Sequence, residues 1–275
     1  DVVYASAVPY TSLIVAHVLA KRYHLPWIGE LRDHWVDFHR YHIGRVRRRI
    51  EQLVERRVLS SAVGLVTVSE PIAVMLREKY AKPTAVILNG YDPDDYLPRT
   101  APESNDGKLL LVYTGMVIEG KYDLRMLFEA LTLLEADAKD IRVEFYGRYL
   151  GNVGELSVRC GVDHIVSING QIPFKESLRV QQEADASVLF LWTDRKERSA
   201  ERGVYTGKLF EYIGARRPIL AIGSMRTVAS DLIVERGLGA ECETPMQVAM
   251  QLRGWLADKR ARGSVTAPAL PAGVG

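Results

Sequence analysis

The amino-acid sequence predicts an α/β protein made of two doubly wound parallel-sheet domains. Short apolar runs alternate with longer segments of helical periodicity along almost the whole chain, which is typical of βαβ units. One polar, proline-containing stretch, from Asp92 to Gly107, interrupts this alternation. The length of 275 residues agrees with about two domains.

The predicted first domain covers residues 1–95, and residues 96–107 form the predicted linker. Its strands lie near Val2–Ala5, Trp27–Glu30, Gly64–Val68 and Ala85–Leu88. Its helices cover about Tyr10–Tyr23, Gly44–Ser60 and Pro71–Tyr80. Ser69 is expected to be the N-cap of the last of these helices, with Pro71 in its first turn.

The predicted second domain covers residues 108–262 and is a complete doubly wound unit. Its strands lie near Lys108–Thr114, Arg142–Tyr146, Ile165–Ile168, Ser187–Trp192 and Pro218–Ile222. Its helices lie near Leu124–Leu134, Asn152–Cys160, Lys175–Glu183, Gly207–Ala215, Val228–Glu235 and Pro245–Lys259. Residues 263–275, rich in Ala, Pro and Gly, are expected to form a flexible tail.

The composition excludes several classes of protein. With 47% hydrophobic and 25% charged residues, the chain is not collagen-like, disordered or a disulfide scaffold. The formal charge of +2 gives no global field to attract nucleic acid, so no nucleic-acid partner is expected and any anion site must be local. No apolar run approaches the ~18 residues of a transmembrane helix. Cys160 and Cys242 lie in different segments without a metal-ligand pattern, which indicates a reducing, cytoplasmic compartment.

The loop after the first strand of the second domain is the first candidate site, because ligands of parallel sheets bind beyond the carboxyl ends of the strands. Gly115 would let the backbone approach an anion closely, and Lys121, near the start of the next helix, would pair with a phosphate. The alternative is an ordinary βα turn followed by a surface lysine.

A second candidate site lies at the start of the predicted helix Gly207–Ala215. Thr206 and Gly207 fit a helix N-terminus whose free backbone N–H groups suit a phosphate. Glu211, one turn further on, would accept hydrogen bonds from two vicinal sugar hydroxyls. The alternative is an ion pair of Glu211 with Lys208 or Arg216 on a half-exposed helix.

Four stretches, in order, carry a family resemblance. Residues 207–221, Gly-Lys-Leu-Phe-Glu-Tyr-Ile-Gly-Ala-Arg-Arg-Pro-Ile-Leu-Ala, resemble the donor-binding segment of the retaining glycosyltransferases of family four, which have the GT-B fold. The other stretches are Val68–Pro71 with Ile87–Asp92, Tyr113–Lys121, and Phe145–Gly147 with Gly170–Pro173. The similarity extends to about Leu256.

The resemblance implies two Rossmann-like domains that face a cleft, and retaining, metal-independent transfer of a hexose from a nucleotide-diphosphate sugar to a glycan, lipid or small-molecule acceptor. Polysaccharide biosynthesis is the implied process, with the nucleotide sugar as substrate and no cofactor. The residue matching Glu211 holds the ribose hydroxyls, and the residue matching Lys121 neutralises the diphosphate as it leaves. The expected donor site comprises Gly115, Lys121, Gly147, Arg148, Ile172, Thr206, Gly207, Lys208 and Glu211.

Two departures from the family pattern affect the expected activity. Met116 stands where the family usually has Arg, so the second phosphate cation is missing or supplied elsewhere, with Arg148 a candidate. Gly203 stands at the first Glu of the E-x7-E pattern, and Glu201 is two positions away. A non-catalytic nucleotide-binding remnant or partner subunit, or a GT-B sugar-nucleotide epimerase, therefore remains an alternative.

The first domain would supply the acceptor side. Arg32 and Asp33 follow a strand, and the expected roles are contact with phosphate for Arg32 and orientation of an acceptor hydroxyl for Asp33, beside Lys121 in the catalytic set. The alternative is an Arg32–Asp33 network that caps the strand. Because GT-B enzymes are generally longer, we also expect the first domain to be incomplete at its N-terminal side, with the donor site intact.

Two further sequence features have competing explanations. The helix Gly44–Ser60 combines six arginines between Arg45 and Arg57 with one apolar stripe. It is either a solvated helix face or a peripheral patch for anionic lipid on the inner membrane face, a charged polysaccharide or a lipid-diphosphate acceptor. The acids of Asp92–Asp95 imitate a metal-binding Asp-x-Asp signature, but their position in the linker predicts a turn with solvated side chains.

Overall fold

The computed structural model describes residues 1–37, 44–97, 107–192, 202–223 and 226–269. They belong to two compact units. The first unit comprises Asp1–Asn89 and Glu197–Tyr205, and the second comprises Gly90–Lys196 and Thr206–Gly275.

The first unit contains a parallel sheet in the order β1-β2-β3-β4. Its strands are β1 (Val3–Ala7), β2 (Trp27–Leu31), β3 (Gly64–Thr67) and β4 (Thr84–Val86). Its helices are α1 (Thr11–Tyr23), α2 (Arg45–Leu59) and α3 (Glu70–Tyr80). Ser69 is the N-cap of α3 as predicted, although its hydroxyl makes no capping hydrogen bond. The core forms where the apolar sides of these helices cover Trp27 and Leu65 of the sheet.

The second unit contains a parallel sheet in the order β10-β9-β8-β5-β6-β7. Its strands are β5 (Leu109–Thr114), β6 (Ile141–Tyr146), β7 (Val166–Gly170), β8 (Ala186–Phe190), β9 (Ile219–Ile222) and β10 (Gly239–Cys242). Its helices are α4 (Arg125–Leu133), α5 (Val153–Arg159), α6 (Phe174–Glu183), α7 (Gly207–Ala215), α8 (Val228–Glu235) and α9 (Pro245–Arg262). The strand order reverses between β5 and β8, and a crevice at such a switch point is where doubly wound sheets bind ligands.

The core of the second unit explains why its central strands are continuous apolar runs. Tyr113, Phe145 and Phe190 come from three neighbouring strands, and their rings stack or tilt against one another in the same cluster. Sheets covered by helices on both faces bury both sides of each strand. A buried ion pair holds α9 against this sheet, since Lys259 Nζ lies 2.8 Å from an oxygen of Asp185.

The structure adds one strand and lengthens one helix relative to the sequence prediction. β10 was missed because its sequence, Gly-Ala-Glu-Cys, contains no apolar run. α9 continues past the predicted end at Lys259 to Arg262, and Gly263 then ends it with a φ of +73°.

The boundary between the units lies at Asn89, before the predicted boundary at residue 95. The reason is that Tyr96 packs on the second unit: its hydroxyl donates to the Glu211 carbonyl at 2.9 Å. A Cβ at Gly214 would lie 2.4 Å from Tyr96 Cζ, so only glycine leaves room for this ring. Residues 98–106 of the predicted linker and 270–275 of the predicted tail lie outside the described residues.

Candidate functional site

A cleft of about 520 Å³ lies in the second unit, at the carboxyl ends of β5, β6 and β7 and beside the first turns of α7. Six residues of the expected donor site line it, namely Gly115, Gly147, Arg148, Ile172, Lys208 and Glu211. The other three, Lys121, Thr206 and Gly207, are not among its lining residues. The structure therefore brings together the loops after three strands and the helix that contains Glu211.

Two glycines form part of the cleft where the loops after β5 and β6 touch. Gly115 has a φ of +125°, which side chains disfavour, and its amide donates to the Tyr146 carbonyl at 2.7 Å. A Cβ at Gly147 would lie 2.0 Å from the Gly115 carbonyl oxygen. Because neither position admits a side chain without strain, the backbone of this surface remains open to a close approach by a ligand.

Lys208 is the cation beside this glycine surface. Its Nζ donates to the Tyr113 hydroxyl at 2.7 Å and lies 4.3 Å from the centre of the Tyr113 ring. A Cβ at Gly115 would lie 2.9 Å from the same Nζ. The Tyr113 hydroxyl in turn donates to the Met116 carbonyl at 2.5 Å. Burial lowers the pKa of Lys208 to about 8, and Glu211 opposes part of that shift.

Lys121 and Arg148 are arranged differently. The ammonium of Lys121 lies 5.0 Å from the centre of the Trp192 ring, a cation–π distance. Arg148 lines the cleft with an exposed side chain, and its guanidinium lies 5.5 Å from the Tyr149 ring. Of the cations considered from the sequence, Lys208 is therefore the one whose ammonium lies against Gly115.

Glu211 contributes an oriented carboxylate to the cleft. Its Oε2 accepts a hydrogen bond from Gln181 Nε2 at 3.1 Å. Within the described residues it forms no ion pair with Lys208 or Arg216, which was the alternative that its spacing allowed. The carboxylate thus keeps acceptor positions for a ligand in the cleft.

The start of α7 was predicted correctly. Thr206 is the N-cap in extended conformation, with a φ of −90° and a ψ of 141°. Its Oγ1 is buried and has no hydrogen-bond partner in the described parts of the chain. The first amides of a helix also lack intrahelical partners, so this helix end offers unsatisfied donors.

Gln181, Tyr113 and Tyr212 are site residues that sequence reasoning missed. The Thr114 amide donates to the hydroxyl of Tyr212, which is fully buried, at 3.0 Å. Burial raises the pKa of both tyrosines, which keeps their hydroxyls neutral. In the sequence the two tyrosines are indistinguishable from core residues. The available signal for the glutamine was its position beside Leu178 and Val180, the other buried residues of α6.

The residues proposed for the acceptor side lie at the carboxyl end of β2. Arg32 is exposed and its Nε pairs with Glu30 Oε1 at 3.1 Å, rather than with Asp33 as the capping alternative supposed. Asp33 is partly buried, and burial raises its pKa against the opposing effect of His34. The hydroxyl of Tyr10 donates to the His34 carbonyl at 2.7 Å, which helps to hold this turn.

Gly203 is buried in the first unit. A Cβ there would lie 3.0 Å from both Ile72 Cγ1 and Ser69 Oγ, and 3.2 Å from Pro71 Cβ. A side chain at this position would therefore require the start of α3 to shift by a few tenths of an ångström. Glu201 lies outside the described residues.

The acids of residues 92–95 form a turn, as predicted. Pro93–Asp95 is a single 3₁₀ turn, and the Asp92 carboxylate accepts from the Asp94 amide at 3.0 Å. These side chains are exposed. No group of three or more His, Cys, Asp or Glu side chains in the described ranges is arranged to hold a metal ion. None of the helices in the described part of the chain combines the length and apolar character that crossing a bilayer requires.

Several solved protein structures resemble this chain at low sequence identity. The sequence matches no protein-family model, and comparison with curated proteins gives no match. Among solved structures, the Anabaena protein HepE in complex with UDP is 14% identical, covering 96% of this chain and 71% of its own, with a TM-score of 0.66. Sucrose-phosphate synthase from Thermosynechococcus elongatus is 16% identical, covering 94% of this chain and 64% of its own, with a TM-score of 0.61.

A lipopolysaccharide outer core galactosyltransferase, WaaB, is also similar. It is 16% identical, covering 94% of this chain and 67% of its own, with a TM-score of 0.62. HepE was also solved in complex with UDP-glucose. These likenesses show that the chain has the GT-B fold that the sequence predicted.

Proposed function

We propose that this chain is a glycosyltransferase that binds a nucleotide-diphosphate sugar in the cleft of its second unit and transfers a hexose with retention. The observation that carries the proposal is the grouping of a glycine surface, the Lys208 ammonium and the Glu211 carboxylate around one cleft. Two structures of a protein with this fold contain UDP and UDP-glucose, which supports a nucleotide sugar as the substrate. The acceptor is a glycan, a lipid or a small molecule.

Different residues bind different parts of the donor, according to their charge. Glu211 accepts hydrogen bonds from the two ribose hydroxyls, since a carboxylate offers two oxygens to a pair of donors. Lys208 pairs with the diphosphate over the glycine surface and thereby supplies the cation that Met116 does not. The amides at Thr206 and Gly207 and the ammonium of Lys121 are further donors to the phosphates, and Arg148 and Ile172 complete the donor site.

Transfer requires the bond between the sugar and the diphosphate to break, so negative charge grows on the leaving phosphate. Fixed ammonium groups and helix N–H groups stabilise that charge more in the transition state than in the ground state. We infer that Lys208 and Lys121 fulfil this role without a metal ion. On the first unit, Asp33 orients the acceptor hydroxyl and Arg32 contacts a phosphate.

Calorimetric titration with UDP, GDP and ADP tests the site assignment. We expect one of these nucleotides to bind and Glu211→Ala to weaken its affinity by roughly tenfold to a hundredfold, the size of lost hydrogen bonds to a charged group. Glu235→Ala, an exposed glutamate on α8, is the matched control and should bind like the wild type. The assignment fails if no nucleotide binds, or if Glu211→Ala binds as tightly as the control.

A second candidate function is nucleotide binding without transfer. It is favoured by Gly203, because this position lacks the glutamate of the family pattern and is buried against Ile72 and Ser69 in the first unit. Nucleotide binding with neither sugar transfer nor donor hydrolysis would support this second function.

We further propose that α2 makes a peripheral contact with an anionic membrane surface. Val46, Ile50 and Leu53 are 74%, 57% and 70% exposed, whereas Val58 and Leu59 are buried. The sequence suggested one apolar stripe, but at 100° per residue these residues divide into two opposite faces. The face that contains Val46, Ile50 and Leu53 is left exposed by the described residues of the first unit.

The charges around this exposed face match an anionic lipid surface. Arg45, Arg49, Arg56 and Arg57 flank or continue it, and none of them forms an ion pair with another described residue. Apolar side chains that enter the interface, together with arginines at the headgroup level, are the pattern of helices that lie on membranes. A cytoplasmic protein with such a helix would associate with the inner membrane face.

A further inference from the structure

We infer that Gln181 is a positioning residue that holds the Glu211 carboxylate in the orientation required to recognise a ribose. This inference rests on the proposed function, because it assigns Glu211 to the ribose hydroxyls. It goes beyond that function by making Gln181, on α6, responsible for discrimination between a ribose and a sugar that lacks those hydroxyls.

The contacts of Gln181 join three elements of the second unit. Its Nε2 lies 3.1 Å from Glu211 Oε2 on α7, 2.9 Å from Thr114 Oγ1 on β5 and 3.2 Å from Ser177 Oγ on α6, so its two N–H groups are shared among three acceptors. The side chain is fully buried. The amide therefore lies behind the cleft and reaches the cleft-lining carboxylate from inside the protein.

The orientation of the Gln181 amide follows from the chemistry of its partners. An ionised carboxylate only accepts hydrogen bonds, so the atom 3.1 Å from Glu211 Oε2 must be the NH₂ group. The opposite orientation would place two acceptor oxygens against each other. The hydroxyls of Thr114 and Ser177 can donate or accept, so they adapt to the orientation that the carboxylate selects.

This orientation leaves Gln181 Oε1 buried without a hydrogen-bond partner in the described chain. Burying an unsatisfied carbonyl is destabilising, and an apolar side chain of similar shape, such as leucine, would avoid the cost. A fully buried glutamine that satisfies its NH₂ group but not its oxygen is thus poorly explained by packing. Its three hydrogen-bond partners among the described residues, Glu211, Thr114 and Ser177, all line the cleft, and Glu211 is the charged one among them.

The hydrogen bond fixes one carboxylate oxygen and directs the other toward the ligand. No described residue bonds to Glu211 Oε1, so that oxygen and the remaining lone pairs of Oε2 are available to two hydroxyl donors. Two vicinal hydroxyls bind best when both carboxylate oxygens face them at the same time. A carboxylate that was free to rotate would bind the two hydroxyls less tightly. Gln181 accordingly affects affinity for the ribose and not for the phosphates.

The test compares two nucleotides on two proteins. Two ligands are used: whichever of UDP, GDP and ADP binds the wild type most tightly, and the 2′,3′-dideoxy analogue of that nucleotide. Each is titrated against the wild type and against Gln181→Leu, and melting curves confirm that both proteins are folded. We expect the wild type to prefer the ribonucleotide by about tenfold or more, and Gln181→Leu to lose most of this preference while its affinity for the analogue stays the same. Gln52→Leu, the same substitution at an exposed glutamine of α2 in the first unit, is the matched control and should keep the preference.

A second variant gives a pH readout that a purely structural residue would not show. Gln181→Glu places two carboxyl groups side by side, and a proton shared between them at low pH restores a donor to Glu211. We expect the ribonucleotide to bind this variant weakly at pH 8 and several-fold more tightly at pH 6, beyond any change that the wild type shows.

The outcomes separate this inference from the proposed function. If the wild type binds none of the three nucleotides, the proposed function fails. If the wild type binds a nucleotide but does not discriminate against the dideoxy analogue, the inference is wrong. It is also wrong if Gln181→Leu keeps the discrimination, or weakens both nucleotides equally.

Discussion

Lys208 differs from the other cations at the cleft, because its environment holds its pKa near the physiological range. Burial among aromatic rings lowers the pKa to about 8, so the ammonium is largely charged at pH 7 and mostly neutral at pH 9.5. A charged ammonium attracts a diphosphate and a neutral amine does not. The contact with Gly115 places this titration next to the proposed diphosphate position.

The affinity for a nucleoside diphosphate should therefore fall as the pH rises through 8. Above the lowered pKa, the Lys208 side chain of the free protein is mostly neutral and must take up a proton when the diphosphate binds. Each further pH unit therefore weakens binding by about tenfold. Lys208→Met should bind weakly at pH 7.5 and show no such fall. Lys208→Arg stays charged, so its affinity for the nucleotide should not fall at alkaline pH. The assignment would be contradicted if the affinity of Lys208→Met fell with pH as it does in the wild type. Calorimetry at pH 7.5 and 9.5 measures all three proteins.

Residues were predictable from the sequence where their type alone constrains their role. Gly115 was proposed because glycine after a strand permits close backbone approach, and Gly147 because of the family resemblance; both line the cleft. Gln181 was not predictable, because its role depends on a hydrogen bond to a residue 30 positions away. The contact of Lys208 with Tyr113 was not predictable for the same reason, because the two residues are 95 positions apart and only the fold brings them together.

At the level of elements, the strands and helices with a strong apolar pattern were predicted nearly to the residue. α7 and α8 have the predicted limits, whereas β10 lacked a pattern and was missed. α2 was predicted as a helix, but the division of its apolar residues between two faces was not. That division became visible only when the packing showed which residues the first unit buries.

The exposed face of α2 leads to a prediction for membrane binding. The protein should sediment with vesicles of phosphatidylcholine and phosphatidylglycerol, and less with phosphatidylcholine alone. Replacing Val46, Ile50 and Leu53 together by serine should abolish most of this binding, since each removes apolar area that the interface would bury. Replacing Val15 and Val18, which are equally exposed on α1 at 55% each, is the matched control and should have little effect.

Two results would refute a membrane role for α2. One is equal sedimentation with neutral and anionic vesicles. The other is that the triple variant binds vesicles as the wild type does, and that the wild-type protein in solution forms dimers through this face. Added salt should also weaken the binding, because screening reduces the attraction of arginine to anionic lipid.

At the level of the whole molecule, the alternation of strands and helices was sufficient to predict two parallel-sheet units. The strand order β10-β9-β8-β5-β6-β7 was not in the sequence pattern, yet it explains the position of the cleft. The strand order reverses between β5 and β8, and the loop after β5 contains Gly115. The unit boundary differed from the prediction because the Tyr96 ring packs against Gly214, a contact that composition does not show.

The most direct test of the central claim is a time course of sugar release from nucleotide sugars, followed by proton NMR. We predict that the wild type converts at least one donor, such as UDP-glucose, to the nucleoside diphosphate and a sugar product whose anomeric configuration matches that of the donor. Glu211→Ala and Lys208→Met should be slower by at least tenfold. Tight nucleotide binding with no release from any donor, or a first product of inverted configuration, would contradict it.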